Sequence, residues 1–111
     1  MHELHLAEDI LRLVKEKAQA TGKQKIATVK VAIGQARTSH QAELKELFAM
    51  IAKGTVAEGA KLEIAIIPLK SICANCQSEF NPQVMRLDCA KCGSSNIKVT
   101  SGQELQILEL I

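Results

Sequence analysis

The last nine residues, QELQILELI at positions 103–111, decide how this chain folds. They are mostly apolar and predict a β-strand. A strand cannot satisfy its own backbone hydrogen bonds, so it must pair with strands elsewhere in the chain. The segment before it, residues 71–102, is polar and rich in turn formers, and it holds all four cysteines. The final strand therefore predicts a return to an earlier sheet, which makes the cysteine segment an insert rather than a tail.

Two earlier segments predict the strands that the last one joins. In KIATVKVAIG, residues 25–34, apolar side chains alternate from Ala27 to Ile33, which predicts a strand with one buried face. KLEIAIIPL, residues 61–69, alternates in the same way until Pro68 ends its ladder. A helix between these two strands favours parallel pairing through a right-handed crossover.

Two amphipathic helices complete the pattern. Residues 4–20 carry apolar side chains at helical spacing: Leu6, Ile10, Leu13 and Val14, widened by Leu11 and Ala18. The segment TSHQAELKELFAMIAKG, residues 38–54, predicts a second helix, in which Thr38 and Gln41 fit a capping box. The buried stripe of that helix comprises Leu44, Leu47, Phe48 and Ile51.

These elements predict an α+β fold. Two helices pack on a three-stranded mixed sheet formed by residues 1–70 and 103–111, and residues 71–102 form a small inserted lobe that resembles a zinc ribbon. Apolar residues make up 47% of the 111-residue chain and aromatic residues only 2%, so the core must be aliphatic.

The charge pattern excludes several functions. The net charge is +2 and no long run of one sign occurs, so nothing demands a nucleic acid or an anionic membrane as partner. No apolar stretch approaches the roughly 20 residues that span a bilayer. Glu3, Glu8 and Asp9 stand where a secretory signal carries basic residues, so we expect a cytoplasmic protein. In that reducing compartment, four cysteines predict metal ligands before disulfides.

The cysteines form two knuckles. Cys73 and Cys76 are separated by two residues, as are Cys89 and Cys92, and twelve residues lie between the pairs. Four thiolates complete a tetrahedral site with no open position, which favours structural zinc over catalysis. Iron in a rubredoxin-like site and a redox disulfide are the alternatives. The insert has few apolar residues of its own, so a bound metal must supply much of its folding free energy.

The amino terminus, MHELH, offers a second set of metal donors. We expect Met1 to be retained, and its amine titrates near about 7.7–8.0. That amine, the His2 amide and imidazole nitrogens, and the Glu3 amide can surround one ion, and planar nitrogen donors suit nickel or copper. The first helical amides have no intrahelical partner. Taken alone, however, these residues are better explained as the polar start of a fraying helix.

The chain as a whole resembles a known family. The opening MHEL, the segment AEGAKLEI, the paired knuckles and the closing SGQELQILELI together resemble the HypA/HybF family of nickel metallochaperones in hydrogenase maturation. The resemblance implies transferable nickel at Met1, His2 and Glu3, with His2 the indispensable side chain. It also implies structural zinc on the four cysteines.

The same resemblance implies partners. These are a HypB-type GTPase, the large subunit of a nickel–iron hydrogenase and, in some bacteria, the urease maturation system. Because short segments join the insert to the rest, it could exchange between two chains, which would give a homodimer.

The chain departs from the family pattern at two histidines. His5 stands where the family often has serine, and His40 comes just before the second helix. A helical His5 lies about one turn from the chain start, so it is a candidate auxiliary nickel ligand. His40 qualifies only if its loop approaches the amino terminus. Both are more simply explained as exposed polar residues.

Two other functions compete with nickel delivery. A zinc-ribbon module that binds nucleic acid, or a transcription or ribosome component, would also carry paired knuckles. The insert and the residue just before it, however, offer only Lys70, Arg86, Lys91 and Lys98 as basic residues and Phe80 as the aromatic residue. An enzyme would need a nucleophile–base pair, a phosphate loop or an open zinc site, and the sequence shows none. We therefore predict a metallochaperone that is not an enzyme.

Overall fold

Two three-stranded sheets organise the chain in the computed structural model, which describes residues 2–38, 40–80, 88–89 and 91–111. The elements in chain order are α1 (His2–Thr21), β1 (Thr28–Gly34), α2 (Gln41–Ile51), β2 (Lys61–Ile67), β3 (Lys70–Cys73), β4 (Glu79–Phe80), β5 (Ile97–Ser101) and β6 (Leu105–Leu110). None of the helices in this described part is long and apolar enough to cross a membrane.

The first sheet has the strand order β2-β1-β6. Its central strand, β1, pairs in parallel with β2 and antiparallel with β6. This confirms the predicted mixed sheet and its closure by the final strand. Between β2 and β6 the chain forms the second sheet, of order β4-β3-β5, in which β3 pairs antiparallel with both neighbours.

The main core lies between the first sheet and the two helices. Its buried members from the helices and from β1 are Leu6, Ala7, Ile10, Leu11, Val14, Ala18, Leu44, Phe48, Val29, Val31 and Ile33. Almost all are aliphatic, as the composition predicted. Burying such side chains stabilises a domain by about 1.5–3 kcal/mol each before the entropy cost of folding is subtracted.

The predicted first strand differs from the observed one at its start. Ala27 was expected on the buried face, but it is exposed and its N–H donates to the Ile111 carbonyl at 2.7 Å. Ile26 is fully buried instead, and its N–H donates to the Val56 carbonyl. The pleat begins only at Thr28, so alternation does not extend to the residues before it.

The second helix begins later than its capping signal predicted. It starts at Gln41 with His40 at the N-cap, and no side-chain cap hydrogen bond forms. The hydroxyl of Thr38 donates instead to a carboxylate oxygen of Glu3, at 2.9 Å. A bond to an ionised acceptor is stronger than a neutral one, so this contact competes well with capping.

The two sheets are joined where two glycine backbones meet. A Cβ added to Gly34 would lie 2.2 Å from the Gly102 carbonyl carbon, and one added to Gly102 would lie 2.5 Å from the Leu69 Cα. Gly102 also has a φ of 101°, which favours glycine. Only residues without a side chain allow the chain segments that enter and leave the second sheet to pass this close to the end of β1.

Hydrogen bonds fasten the same junction. The N–H of Gly34 donates to the Glu104 carbonyl at 2.7 Å, and the N–H of Ala36 donates to the Gly102 carbonyl at 2.8 Å. On the other segment, the N–H of Leu69 donates to the Gln35 side-chain oxygen at 2.9 Å, and Leu69 itself is 2% exposed. The loop after β1 therefore holds both segments that connect the two sheets.

Adding a methyl group at the glycine contact should open this junction. We expect Gly34→Ala to lower the free energy of unfolding by about 3 kcal/mol, because the clash is with backbone that cannot move aside cheaply. The amides of Ala36 and Leu69 should then exchange hydrogen faster. Gly59→Ala is the control: its Cβ meets nothing within 4 Å, so only the cost of its positive φ, about 1–2 kcal/mol, remains. Unchanged hydrogen exchange at both amides in Gly34→Ala would contradict the conclusion that the glycine contact holds the junction closed.

The carboxylate of Glu104 makes the junction sensitive to acid. Its own N–H, and then those of Gly102 and Gln103, hold the pKa of this exposed carboxyl below its ordinary value of 4.5. A lowered folded-state pKa contributes stability that is present above the unfolded value and lost as the pH falls through the folded value. In Glu104→Gln the side chain is neutral at every pH. We expect urea titrations to show a stability gap between the two proteins that closes in acid; a gap constant from pH 7 to 3 would refute this.

Candidate metal centres

The four cysteines converge beside the second sheet. Their sulfur atoms all lie within 4.8 Å of one another, with Cys73 and Cys92 separated by 3.6 Å and Cys76 and Cys89 by 3.7 Å. A disulfide would require about 2.05 Å. Metal–sulfur bonds of about 2.3 Å in a tetrahedron place the sulfurs about 3.8 Å apart. The cluster therefore has the dimensions of a four-thiolate metal site and fits structural zinc.

Each knuckle is built by the same two backbone hydrogen bonds. In the first, the N–H of Cys73 donates to the Ser78 carbonyl and the N–H of Gln77 donates to the Cys73 carbonyl. In the second, Cys89 and Ser94 form the equivalent bond, and the N–H of Gly93 donates to the Cys89 carbonyl. These hydrogen bonds join backbone atoms only, so the turns themselves set the positions of the sulfur atoms.

The fifth residue of each knuckle has a left-handed backbone. Gly93 has a φ of 74°, whereas Gln77 has a φ of 62° and is the only non-glycine residue with positive φ in the described part of the chain. The Gln77 side chain donates to the Ala74 carbonyl at 3.0 Å. Non-glycine residues rarely adopt this conformation. The turn that carries Cys76 therefore overrides the local preference of Gln77.

Hydrogen bonds lower the pKa of two of the four thiols, those of Cys76 and Cys89. The N–H groups of Lys91 and Cys92 donate to the Cys89 sulfur at 3.3 and 3.5 Å and, with Cys92 contributing most, lower the pKa of Cys89. Hydrogen bonds with the side chain and backbone of Ser78 lower the pKa of Cys76 to about 6. Cys76 is therefore largely ionised at neutral pH, and the thiolate is the form that binds metal.

The remaining exposed thiol shows why a cation is needed. The Ser94 backbone favours the thiolate of Cys92, but the neighbouring sulfurs, beginning with Cys73, and burial together raise the pKa of Cys92 to about 12. Thiolates packed this closely repel one another unless a positive charge lies between them. Cys73 and Cys89 are buried and Cys76 and Cys92 are exposed, so such an ion would sit at the surface of this lobe with all four positions taken by sulfur.

The predicted nickel residues lie at the start of α1. Met1 is outside the described residues, and His2 is the first residue of the helix. Glu3 is 4% exposed, and its carboxylate accepts the hydrogen bond from Thr38. The sequence did not reveal this contact of Thr38 with Glu3, because the spacing of Thr38 to Gln41 pointed to a helix cap.

The two histidines predicted as candidate auxiliary nickel ligands, His5 and His40, are both exposed. His5 is the fourth residue of α1, and His40 is the N-cap residue of α2. The condition set for His40 is met, because Thr38, two residues earlier, contacts Glu3. A second contact fixes the same loop to the helix: Arg37 lies 3.5 Å from Asp9, which is also 3.6 Å from Arg12. The loop that precedes α2 thus lies against the amino-terminal turns of α1.

Comparison with known proteins gives one consistent family. Residues 1–111 match the family model described as HypA, hydrogenase/urease nickel incorporation, metallochaperone. The hydrogenase maturation factor HypA of Azotobacter chroococcum is 34% identical over 110 residues, which cover 99% of this chain and 97% of that protein. The corresponding protein of Legionella pneumophila is 31% identical over 111 residues, which cover 100% and 98%.

Solved structures agree with these relatives. The solution structure of the Ni metallochaperone HypA from Helicobacter pylori superposes with a TM-score of 0.72 at 27% sequence identity, covering 99% of this chain and 96% of that one. A second solution structure, of a HypA protein, gives a TM-score of 0.67 at 28% identity, covering 99% and 94%. The similarity therefore includes both sheets.

Removing one sulfur should empty the cysteine cluster. We expect Cys89→Ser to reduce the metal content of the purified protein from about one ion per chain to near zero, because three thiolates and a hydroxyl no longer complete the site. Elemental analysis measures this directly. Asn75→Ala is the matched control: it removes a hydrogen bond to Ser94 at 2.8 Å within the same turns but no sulfur. Equal metal content in Cys89→Ser and the wild-type protein would rule out the cluster as a metal site.

Proposed function

This chain belongs to the HypA family of nickel metallochaperones, and from that premise we propose that it binds Ni(II) at its amino terminus and delivers it during maturation of a nickel–iron hydrogenase. The observation that carries the proposal is the family match over all 111 residues. The placement of Glu3 beside the loop before α2 adds a structural reason why the first residues form a defined site.

We propose that the donors come from Met1, His2 and Glu3. The Met1 amine, the His2 amide nitrogen and the His2 imidazole close fused five- and six-membered rings around one ion in a plane, and the Glu3 amide nitrogen is proposed as a further donor from outside that plane. Amides in the first turn of a helix lack intrahelical partners, so binding nickel sacrifices no helical hydrogen bond. A planar nitrogen set suits Ni(II). His5 and His40 are proposed only as auxiliary donors during uptake or transfer.

We propose that Cys73, Cys76, Cys89 and Cys92 hold the resident zinc ion. Zinc accepts tetrahedral sulfur coordination without strain, whereas four-coordinate nickel favours a planar arrangement. Zinc here stabilises the lobe proposed for residues 71–102, and nickel is cargo held by the lobe proposed for residues 1–70 and 103–111. The two metals are thus separated by the chemistry of their donors.

The proposed activity is transfer rather than catalysis. A chelate at the chain end can lose one donor at a time while an acceptor supplies replacements, so nickel need not pass through free solution. The partners proposed from the family resemblance are a HypB-type GTPase, the hydrogenase large subunit and, where they occur, urease maturation proteins. A homodimer that exchanges the zinc lobe is also proposed. A reducing cytoplasm is the compartment in which four thiolates persist as metal ligands.

Two changes at the first residues test the nickel site. His2→Ala, and separately acetylation of the amino terminus, should each weaken Ni(II) binding at least about tenfold, because each removes a donor. Calorimetric titration of untagged protein gives the affinity, and visible absorption reports the coordination of nickel. Binding should weaken further as the pH falls, because the amine and imidazole must lose protons to bind.

The controls separate this site from the zinc cluster. His5→Ala should change nickel affinity far less than His2→Ala, and zinc content should stay the same in every variant. If both His2→Ala and the acetylated protein bind nickel as tightly as the wild type, the amino terminus is not the nickel site.

A further inference from the structure

The carboxylate of Glu3 is held inside the protein, although it belongs to the first turn of a helix. It is 4% exposed and accepts the Thr38 hydroxyl hydrogen bond at 2.9 Å. An isolated buried carboxylate would be costly, and a hydrogen bond to its charged form repays part of that cost. The side chain of Glu3 therefore anchors the start of α1 to the loop before α2.

The two residues that precede Thr38 make contacts of their own. Arg37, its neighbour in sequence, forms an ion pair with Asp9 at 3.5 Å, one helical turn beyond His5. Ala36 donates its N–H to the Gly102 carbonyl at 2.8 Å. These contacts leave the Thr38 hydroxyl in a fixed position relative to both α1 and the junction of the two sheets, which is the property that a support for a binding site requires.

We propose that Thr38 is a positioning residue for the nickel chelate and acts through the carboxylate of Glu3. The inference rests on the proposed nickel function. By fixing the Glu3 side chain, Thr38 also fixes the backbone nitrogen of Glu3, which is the last donor of the proposed set. The role assigned to the Glu3 carboxylate is anchorage, and its backbone nitrogen is the metal donor.

The expected size of the effect follows from the entropy of ordering. Fixing a residue in a single backbone conformation has an entropy cost, and a site that is already ordered does not incur this cost when metal binds. Losing one net hydrogen bond that supplies such order should weaken nickel binding roughly three- to tenfold. This is less than the loss expected for removing a donor.

Substitutions at Thr38 separate anchorage from general stability. Thr38→Val keeps the branched shape but loses the hydroxyl, and Thr38→Ser keeps the hydroxyl. We expect the valine variant to bind Ni(II) three- to tenfold more weakly with an altered visible absorption spectrum, and the serine variant to restore both. Thr21→Val is the matched control, because it removes a hydroxyl hydrogen bond to the Lys17 carbonyl at the opposite end of α1. Melting temperature and zinc content are measured for all three.

A substitution at Glu3 tests the path of the effect. Glu3→Gln keeps an oxygen that can accept the Thr38 hydrogen bond, so anchorage predicts nickel affinity within about threefold of the wild type. A carboxylate that coordinated nickel directly would instead lose at least about tenfold on this change. In a Glu3→Ala background, Thr38→Val should have no further effect on nickel binding, because the two residues act in series.

The outcomes distinguish this inference from the function on which it rests. If His2→Ala weakens nickel binding but Thr38→Val leaves affinity and spectrum unchanged, Thr38 has no positioning role and the nickel site stands. Additive losses in Glu3→Ala and Thr38→Val would also overturn the inference, because Thr38 would then act independently of Glu3. If His2→Ala binds nickel normally, the proposed function itself fails.

Discussion

The close contact between the backbones of Gly34 and Gly102 is the constraint on which the arrangement of the molecule depends. It lies where β1 ends and where the chain returns from the second sheet, and no side chain fits between the two residues. Because Leu69, on the outgoing segment, packs against Gly102 in turn, both connections are fixed at one point. A small insert joined by two single segments would otherwise be free to rotate, and backbone contact here removes that freedom.

The loop that begins at this contact also supports the amino terminus. Gln35 and Ala36 bind the two connecting segments, and the next two residues, Arg37 and Thr38, bind α1. One stretch of consecutive residues therefore touches the structures that hold both candidate metal sites. Contacts at both ends of this stretch hold the loop in place, although the loop contains no regular secondary structure of its own.

Much of the fold could be predicted because it follows from periodic burial. Each predicted helix or strand was recognised because its apolar residues are spaced to form one buried face. The mixed sheet then follows from the order of these helices and strands along the chain. The paired knuckles likewise predicted that the four sulfurs converge, because the spacing alone limits where those sulfurs can point. Short strands such as β4, with two residues, carry no usable alternation, so the second sheet was not predicted.

The features that the sequence did not reveal share a physical cause: in each, a tertiary contact competes with a local preference of the chain. Thr38 has the spacing of a helix cap, but the buried carboxylate of Glu3 binds its hydroxyl. Gln77 has no preference for a left-handed backbone, but the two hydrogen bonds of the first knuckle impose one. Glu3 belongs to a polar chain start and is nevertheless buried. A single sequence shows the local preference of each residue, but it does not show which residue distant in sequence will contact it.

The difference between the two metal sites follows from the same geometry. In the cysteine cluster every sulfur is placed by a turn that is closed by backbone hydrogen bonds, so an incoming ligand meets a completed shell and exchange requires a turn to open. At the amino terminus the proposed donors lie on consecutive residues, and the side chain of the last of them, Glu3, is held by Thr38. Ligands can therefore leave in sequence from the free end. A site that must release its ion benefits from an anchor on one side only, because a second anchor would convert cargo into a resident metal.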